Sequence, residues 1–149
     1  MAKQRAPTGV TVKLFVDTSA FVAAAVTSEG NHHRATAVLG DPDARLITSS
    51  VVLTEVWTVV RRAHHRHVAE RVVAGIVKEG VEVEAVGRGD VLRAMDIGEE
   101  FPDQDFSLAD RTSFAVMHRL GLYRVATFDH HFAIYRFGPG RRKAFEIAR

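Results

Sequence analysis

Apolar positions along this chain fall into short β-branched runs separated by longer segments with helical spacing, and the two kinds alternate from end to end. Val10 to Val16 is such a run and is expected to be a central buried strand. A helix over about Ala20 to Thr27 follows, with Thr18 or Ser19 as its cap. Ser28-Glu29-Gly30-Asn31 breaks it, and a second helix covers His32 to Leu39 before Gly40-Asp41-Pro42-Asp43. Leu46-Ile47-Thr48 reads as a second strand. Ser49 or Ser50 then caps a longer helix to about Ala63, and another runs from Val68 to Lys78, closed by Gly80. Val81 to Val86 alternates valine with glutamate and alanine, as a strand nearer an edge does.

The second half continues the alternation. Asp90 to Glu99 reads as a helix with Val91, Ala94, Met95 and Ile97 facing inward. Phe101 to Phe106 is a loop, and Ser107 to Leu120 a strong helix closed by Gly121. Tyr123 to Thr127 is a strand. A short helix near His130 to Ile134, the turn Gly138-Pro139-Gly140 and a last strand around Ala144 to Ile147 complete the chain. Strands alternating with helices through short connections favour an α/β fold: a central, mostly parallel twisted sheet of four to five strands with helices on both faces. Residues 1–9, with Pro7 and Gly9, read as a flexible leader, and residues 10–149 as one domain.

Composition narrows the chemistry. With 149 residues, 46% of them apolar and 26% charged, the chain can bury a core without staples. It has no cysteine, which excludes disulfides and thiolate metal sites and fits a reducing cytoplasm. No apolar run approaches the ~20 residues that span a bilayer, and the basic N-terminus lacks the apolar core of a signal peptide. The net charge is only +2, so nucleic-acid binding would depend on local clusters such as Arg61, Arg62 and Arg66, or Arg141, Arg142 and Lys143.

Four carboxylates stand where apolar segments end or turn inward: Asp17 after Leu14-Phe15-Val16, Glu55 within Val51-Val52-Leu53-Thr54-Glu55-Val56, Asp110 in Ser107-Leu108-Ala109-Asp110, and Asp129 after Val125-Ala126-Thr127-Phe128. Taken singly, each has an ordinary explanation. Asp17 and Asp129 sit where caps belong, Ser107 and Asp110 have capping-box spacing, and Glu55 can reach water from the edge of an apolar stripe. Thr18 and Ser19 offer to cap in place of Asp17. Asp103 and Asp105 read as an exposed loop. In open α/β sheets, however, ligands bind beyond the carboxyl ends of the strands, which is where this fold can gather such side chains. Carboxylates that share a site repel one another unless a cation intervenes.

The order and context of these pieces resemble the PIN-domain ribonucleases, and among them the VapC-type toxins of bacterial toxin–antitoxin modules. Phe15-Val16-Asp17-Thr18-Ser19, Leu53-Thr54-Glu55-Val56, Phe106-Ser107-Leu108-Ala109-Asp110 and Ala126-Thr127-Phe128-Asp129-His130-His131-Phe132 carry the likeness. The resemblance implies a metal-dependent endoribonuclease whose quartet Asp17, Glu55, Asp110 and Asp129 binds Mg2+ or Mn2+, with Thr18, Ser19 and Thr127 as polar support. It also implies an RNA substrate, a cognate antitoxin of VapB type and a homodimer. Arg111 departs from the pattern, since a small residue often follows the third acid. A haloacid-dehalogenase-like phosphatase needs a second aspartate where Ser19 stands, and no Gly-x-Gly-x-x-Gly follows the first strand. The alternative from a different class is a catalytically silent RNA- or protein-binding module on the same fold. Of the eight histidines, adjacent pairs such as His130-His131 are expected to point apart on a helix and make a poor metal site; His130 is a possible substrate contact.

Overall fold

The computed structural model describes residues 6–149. Its elements are β1 (Val12–Val16), α1 (Thr18–Ala25), α2 (His32–Leu39), β2 (Ala44–Ser49), α3 (Ser50–Ala63), α4 (Arg66–Lys78), β3 (Glu82–Glu84), α5 (Arg88–Glu100), α6 (Leu108–Leu120), β4 (Arg124–Ala126), α7 (His131–Ile134) and β5 (Glu146–Ala148). The five strands form one all-parallel sheet in the order β3-β2-β1-β4-β5. β1 is central, as its apolar run demands: Leu14, Phe15 and Val16 are buried. β3, with its alternating glutamates, takes an edge. Connections that step away from β1 in opposite directions along such a sheet lie on opposite faces, so helices cover both sides. Of the expected leader, residues 1–5 lie outside the described residues; Thr8 holds the Asp43 carboxylate through its N–H (2.7 Å) and its hydroxyl (2.8 Å).

Local chemistry sets the helix starts. Ser49, fully buried, accepts from the Val52 N–H (3.3 Å) and caps α3, while Ser50 accepts from the Val86 N–H (3.2 Å) and ties α3 to the chain after β3. Ser49→Ala is expected to lower stability by about 1 kcal/mol in a urea melt, the usual cost of a lost N-cap; an unchanged midpoint would contradict this. Gly121 ends α6 in the left-handed region (φ 65°) that glycine adopts freely.

One expectation about orientation fails. Ala94 and Ile97 on α5 are fully buried, but Val91 (40% exposed) and Met95 (50%) face outward. Asp90, Ala94, Ile97 and Phe101 follow the i, i+4, i+7, i+11 spacing of the buried stripe, and α5 packs on α6, so helical phase turns 91 and 95 toward solvent. Arg111 explains its own departure from the family pattern. Its guanidinium donates to the Ala94 carbonyl (3.2 Å) and lies against Gly98, where a Cβ would collide with it. Under the far end of the sheet, Phe114 stacks on Tyr135 at 4.2 Å between ring centres, with Phe132 and Phe145 around them. This aromatic block packs α6 and α7 together beside the start of β5.

Candidate active site

β1 and β4 are neighbours whose following connections leave in opposite directions, and a crevice opens at the carboxyl ends of such a pair. Val16 pairs with Ala126, and the Asp17 N–H donates to the Ala126 carbonyl (3.0 Å). That register sets Asp17 beside Thr127. Asp17 itself caps α1, where the sequence points to Thr18 or Ser19. Its Oδ2 accepts from the Ser19 N–H (3.3 Å), the Ser19 hydroxyl (2.8 Å) and the Thr127 hydroxyl (2.9 Å). Ser19 Oγ in turn accepts from the Phe128 N–H (2.9 Å), and Thr127 Oγ1 from the Asp129 N–H (3.0 Å). Two hydroxyls therefore lock the loop after β4 onto the first aspartate.

Asp110 completes a capping box with Ser107. Its Oδ2 accepts the Ser107 N–H (3.0 Å) while Ser107 Oγ accepts the Asp110 N–H (3.0 Å). The same Oδ2 meets His131 Nδ1 at 2.8 Å, and that ring nitrogen is 3.5 Å from Asp129 Oδ1. The His131 N–H donates to Asp129 Oδ1 (2.9 Å). His131, packed edge-on against Phe106, so joins the third and fourth acids. The sequence singles out His130 instead; the signal for His131 is the one-turn helix that starts two residues after Asp129. His130 lies ahead of that helix rather than on it, so the two rings do not point apart but stand 4.4 Å from each other. Asp129, His130 and His131 bring one ligand atom each within 4.8 Å of one another, a spacing compatible with metal binding.

Asp17, Thr18, Ser19, Glu55 and Asp129 line one cavity of about 330 Å³. Asp110 is not in its lining, but its charge is felt there. Burial pushes the Asp17 carboxyl up to about 6, against the opposing hydroxyls of Ser19 and Thr127, and Asp110 adds to the rise. Glu55 is pushed up to about 7, first by burial, then by the charges of Asp17, Asp110 and Asp129. Burial and the neighbouring Asp129 raise Asp110 as well, with His131 acting against them. The Thr18 hydroxyl is buried without a hydrogen-bond partner among the described residues; it lies close enough to Glu55 to favour that charge weakly.

Asp90 shows how this fold treats a buried carboxylate that has only a structural task. It accepts the Gly87 N–H (3.0 Å) and the Arg119 guanidinium (2.8 Å), and Arg119 holds its carboxyl below the usual range. Among the described residues no lysine or arginine pairs with Asp17, Glu55, Asp110 or Asp129; His131 lies beside Asp110 and Asp129, and His130 beside Asp129. Four acids crowded together, three of them with raised affinity for a proton, form a site short of positive charge. The donors are carboxylate oxygens with one spare hydroxyl, a hard set that suits Mg2+ or Mn2+.

The expected basic residues form two separate clusters. On the α3–α4 corner, Arg61 turns back to the His64 carbonyl (3.3 Å) and Arg66 pairs with Glu70 (3.4 Å). Exposed Arg62 is seven residues beyond Glu55, hence on the same helical face and ~10 Å further along α3. Arg141 lies over the Phe101 ring (4.2 Å) and donates to the Glu100 carbonyl (2.8 Å), so its guanidinium is already engaged. Arg142 is exposed, and the Lys143 stem covers Gly138. Asp103 and Asp105 are exposed and outside the cavity.

Comparison with known proteins identifies the family and the fold. The PIN domain profile matches residues 14–138. The chain is 29% identical over 124 residues to the 23S rRNA-specific endonuclease VapC20 of Mycobacterium tuberculosis, covering 83% of this chain and 95% of that protein. It is similar to the crystal structure of VapC20, described as a Sarcin-Ricin loop cleaving toxin, with a TM-score of 0.76 and 28% identity over 81% of this chain and 93% of the other. VapBC2 from Rickettsia felis, bound to a DNA fragment from its promoter, shares the fold at a TM-score of 0.62 and 13% identity, over 83% of this chain and 92% of that one.

Proposed function

The chain belongs to the PIN-domain family, and we propose that it is a metal-dependent endoribonuclease that serves as the toxin of a type II toxin–antitoxin pair. One observation carries the reading: Asp17, Glu55, Asp110 and Asp129 influence one another at a strand-end crevice, with no arginine or lysine among the described residues paired to them. Asp17 and Asp110 are the principal ligands for Mg2+ or Mn2+, and Glu55 and Asp129 complete the shell. When bound, the ion lowers the pKa of a coordinated water and offsets charge on the phosphate. The protein's own residues do the rest. Ser19 and Thr127 hold Asp17 in place, and His131 holds Asp110 against Asp129. Glu55, already prone to protonation, stands ready to orient or accept a proton from the attacking water.

The substrate is RNA, and the specificity of VapC20 makes ribosomal RNA the first class to test. A cognate VapB-type antitoxin is the proposed partner, VapBC2 being a toxin–antitoxin pair of the same fold, and a homodimer is the proposed assembly on the family resemblance alone. Among the described residues no helix is long and apolar enough to cross a membrane, which accords with action on RNA in the cytoplasm. Incubating the purified protein with total RNA and Mg2+ or Mn2+, then mapping the new ends, tests the activity. Discrete cuts that vanish with EDTA and in Asp110→Asn support the reading. Binding without cleavage, unaffected by Asp17→Asn, would instead favour a silent binding module.

Arg62, on the Glu55 face of α3, is the member of its cluster best placed to follow RNA leaving the cleft. Arg62→Ala is expected to raise KM several-fold, to leave kcat nearly unchanged and to flatten the log–log salt dependence of binding by about one. An unchanged salt slope would remove Arg62 from the phosphate contacts.

A further inference from the structure

The cavity lined by Asp17, Glu55 and Asp129 has further lining residues that phosphate hydrolysis does not use. Val22, Val59, Phe128 and Asn31 line it together with those acids. Apolar groups beside a hydrated, highly charged centre do nothing for charge stabilisation. The Phe128 backbone is anchored, since its N–H donates to Ser19 Oγ (2.9 Å), and the residue is half-buried and lines the cavity. Asn31 occupies the N-cap position of α2 but makes no side-chain cap bond, and its amide has no hydrogen bond among the described residues. The Asn31 backbone is anchored because the neighbouring His32 ring meets the Ala23 carbonyl at 2.9 Å. Over the Phe128 ring stands the Arg34 guanidinium, 5.7 Å from the ring centre, exposed on α2 and in no ion pair among the described residues, so one face of the ring already meets a cation.

We propose that this wall is a nucleobase subsite: an unpaired base next to the scissile phosphate stacks on Phe128, Asn31 reads its edge, and Arg34 holds a flanking phosphate. The proposal rests on the ribonuclease reading above and supplies its source of sequence preference. The chemistry of the three side chains matches the three parts of a nucleotide. An aromatic face accepts any base by stacking. A carboxamide offers both a donor and an acceptor, which discriminates among base edges. A guanidinium forks onto phosphate oxygens. At about 330 Å³ the cavity lies at the small end of ligand-sized pockets (~300–1,000 Å³); a single nucleotide fits this better than a duplex.

The test uses a short single-stranded oligoribonucleotide taken from around a mapped cut, or from a ribosomal loop if no cut is found, with 2-aminopurine at each position in turn. Fluorescence quenching reports stacking without needing cleavage. Wild type is expected to quench the probe at one position beside the cut, and Asp110→Asn to do the same without cutting. Phe128→Leu should lose the quenching and raise KM about tenfold with a smaller change in kcat. Asn31→Ala should relax the preferred base at that position in mapped ends, and Arg34→Gln should weaken binding and its salt dependence. Asn31 and Arg34 lie at or near the surface, so their variants remain informative if Phe128→Leu folds poorly. If wild type cuts RNA while Phe128→Leu and Asn31→Ala quench and cut as it does, the base subsite is wrong and the nuclease reading survives. If wild type quenches but never cuts, the nuclease reading is wrong and the base subsite survives. Neither quenching nor cutting overturns both.

Discussion

Replacing Asp17 by asparagine is expected to reduce RNA cleavage by at least ~10²-fold, since even groups one shell removed from a catalytic metal are worth 10–100-fold, and yet to make the metal-free protein more stable. The two effects share one cause. Asp17 is 6% exposed, and its carboxyl is pushed up to about 6 by burial. Its folded pKa lies above the unfolded value of 3.8, so the stability it contributes is fully present below about pH 4 and is lost as pH rises through about 6. At pH 8 the folded chain carries a buried anion that the unfolded chain carries in water. Asparagine keeps the shape, still accepts the Ser19 N–H, and removes the charge. A gain on the order of 1–3 kcal/mol follows from a shift of that size, measured by denaturant melts at pH 8 in EDTA. At pH 4 the two proteins should be nearly equal. A variant that loses activity and also stability at pH 8 would mean that Asp17 is chiefly a helix cap and that its charge costs the fold nothing.

A second large effect is expected from divalent ions. Glu55, pushed up to about 7, and Asp110, also raised, follow the same rule as Asp17, so the metal-free fold weakens through the window from about pH 4 to 7. An ion that binds only the folded state restores what the acids lose. At 100 times its dissociation constant it adds ~2.7 kcal/mol, which is ~5–10 °C of Tm for a domain of this size. Calorimetry at pH 8 should show that rise with Mn2+ or Mg2+ and not with added K+. At pH 5, where protons compete for the same oxygens, the rise should shrink to a degree or two. Equal stabilisation at both pH values would place the ion elsewhere.

The parts of this molecule that follow local rules were legible from the chain. The alternation of strand and helix gave the α/β class, β1 read as central from Leu14-Phe15-Val16, and the Ser107–Asp110 box formed as its spacing requires. The four proposed acids were named from the order and context of their motifs, since each taken singly had an ordinary explanation. Long-range register hid the remainder. His131 meets Asp110 across 21 residues, and the Ser19 and Thr127 hydroxyls share Asp17 across 108; no periodicity encodes such pairings. Asp17 was expected to be relieved of capping by its neighbours. It caps α1 because Ser19 turns its hydroxyl to the carboxylate and spends its lone pair on Phe128. On α5, Val91 and Met95 show that an apolar side chain faces inward only when its helical phase agrees with the stripe that packs.

Anomalous diffraction from crystals soaked in Mn2+ near pH 8 tests the central claim most directly. The account predicts manganese density in the cavity after β1 and β4, within bonding distance of carboxylate oxygens from at least two of Asp17, Glu55, Asp110 and Asp129, and absent in Asp110→Asn crystals treated alike. Manganese found only on exposed histidines such as His130, with the four carboxylates left without an ion, would contradict it.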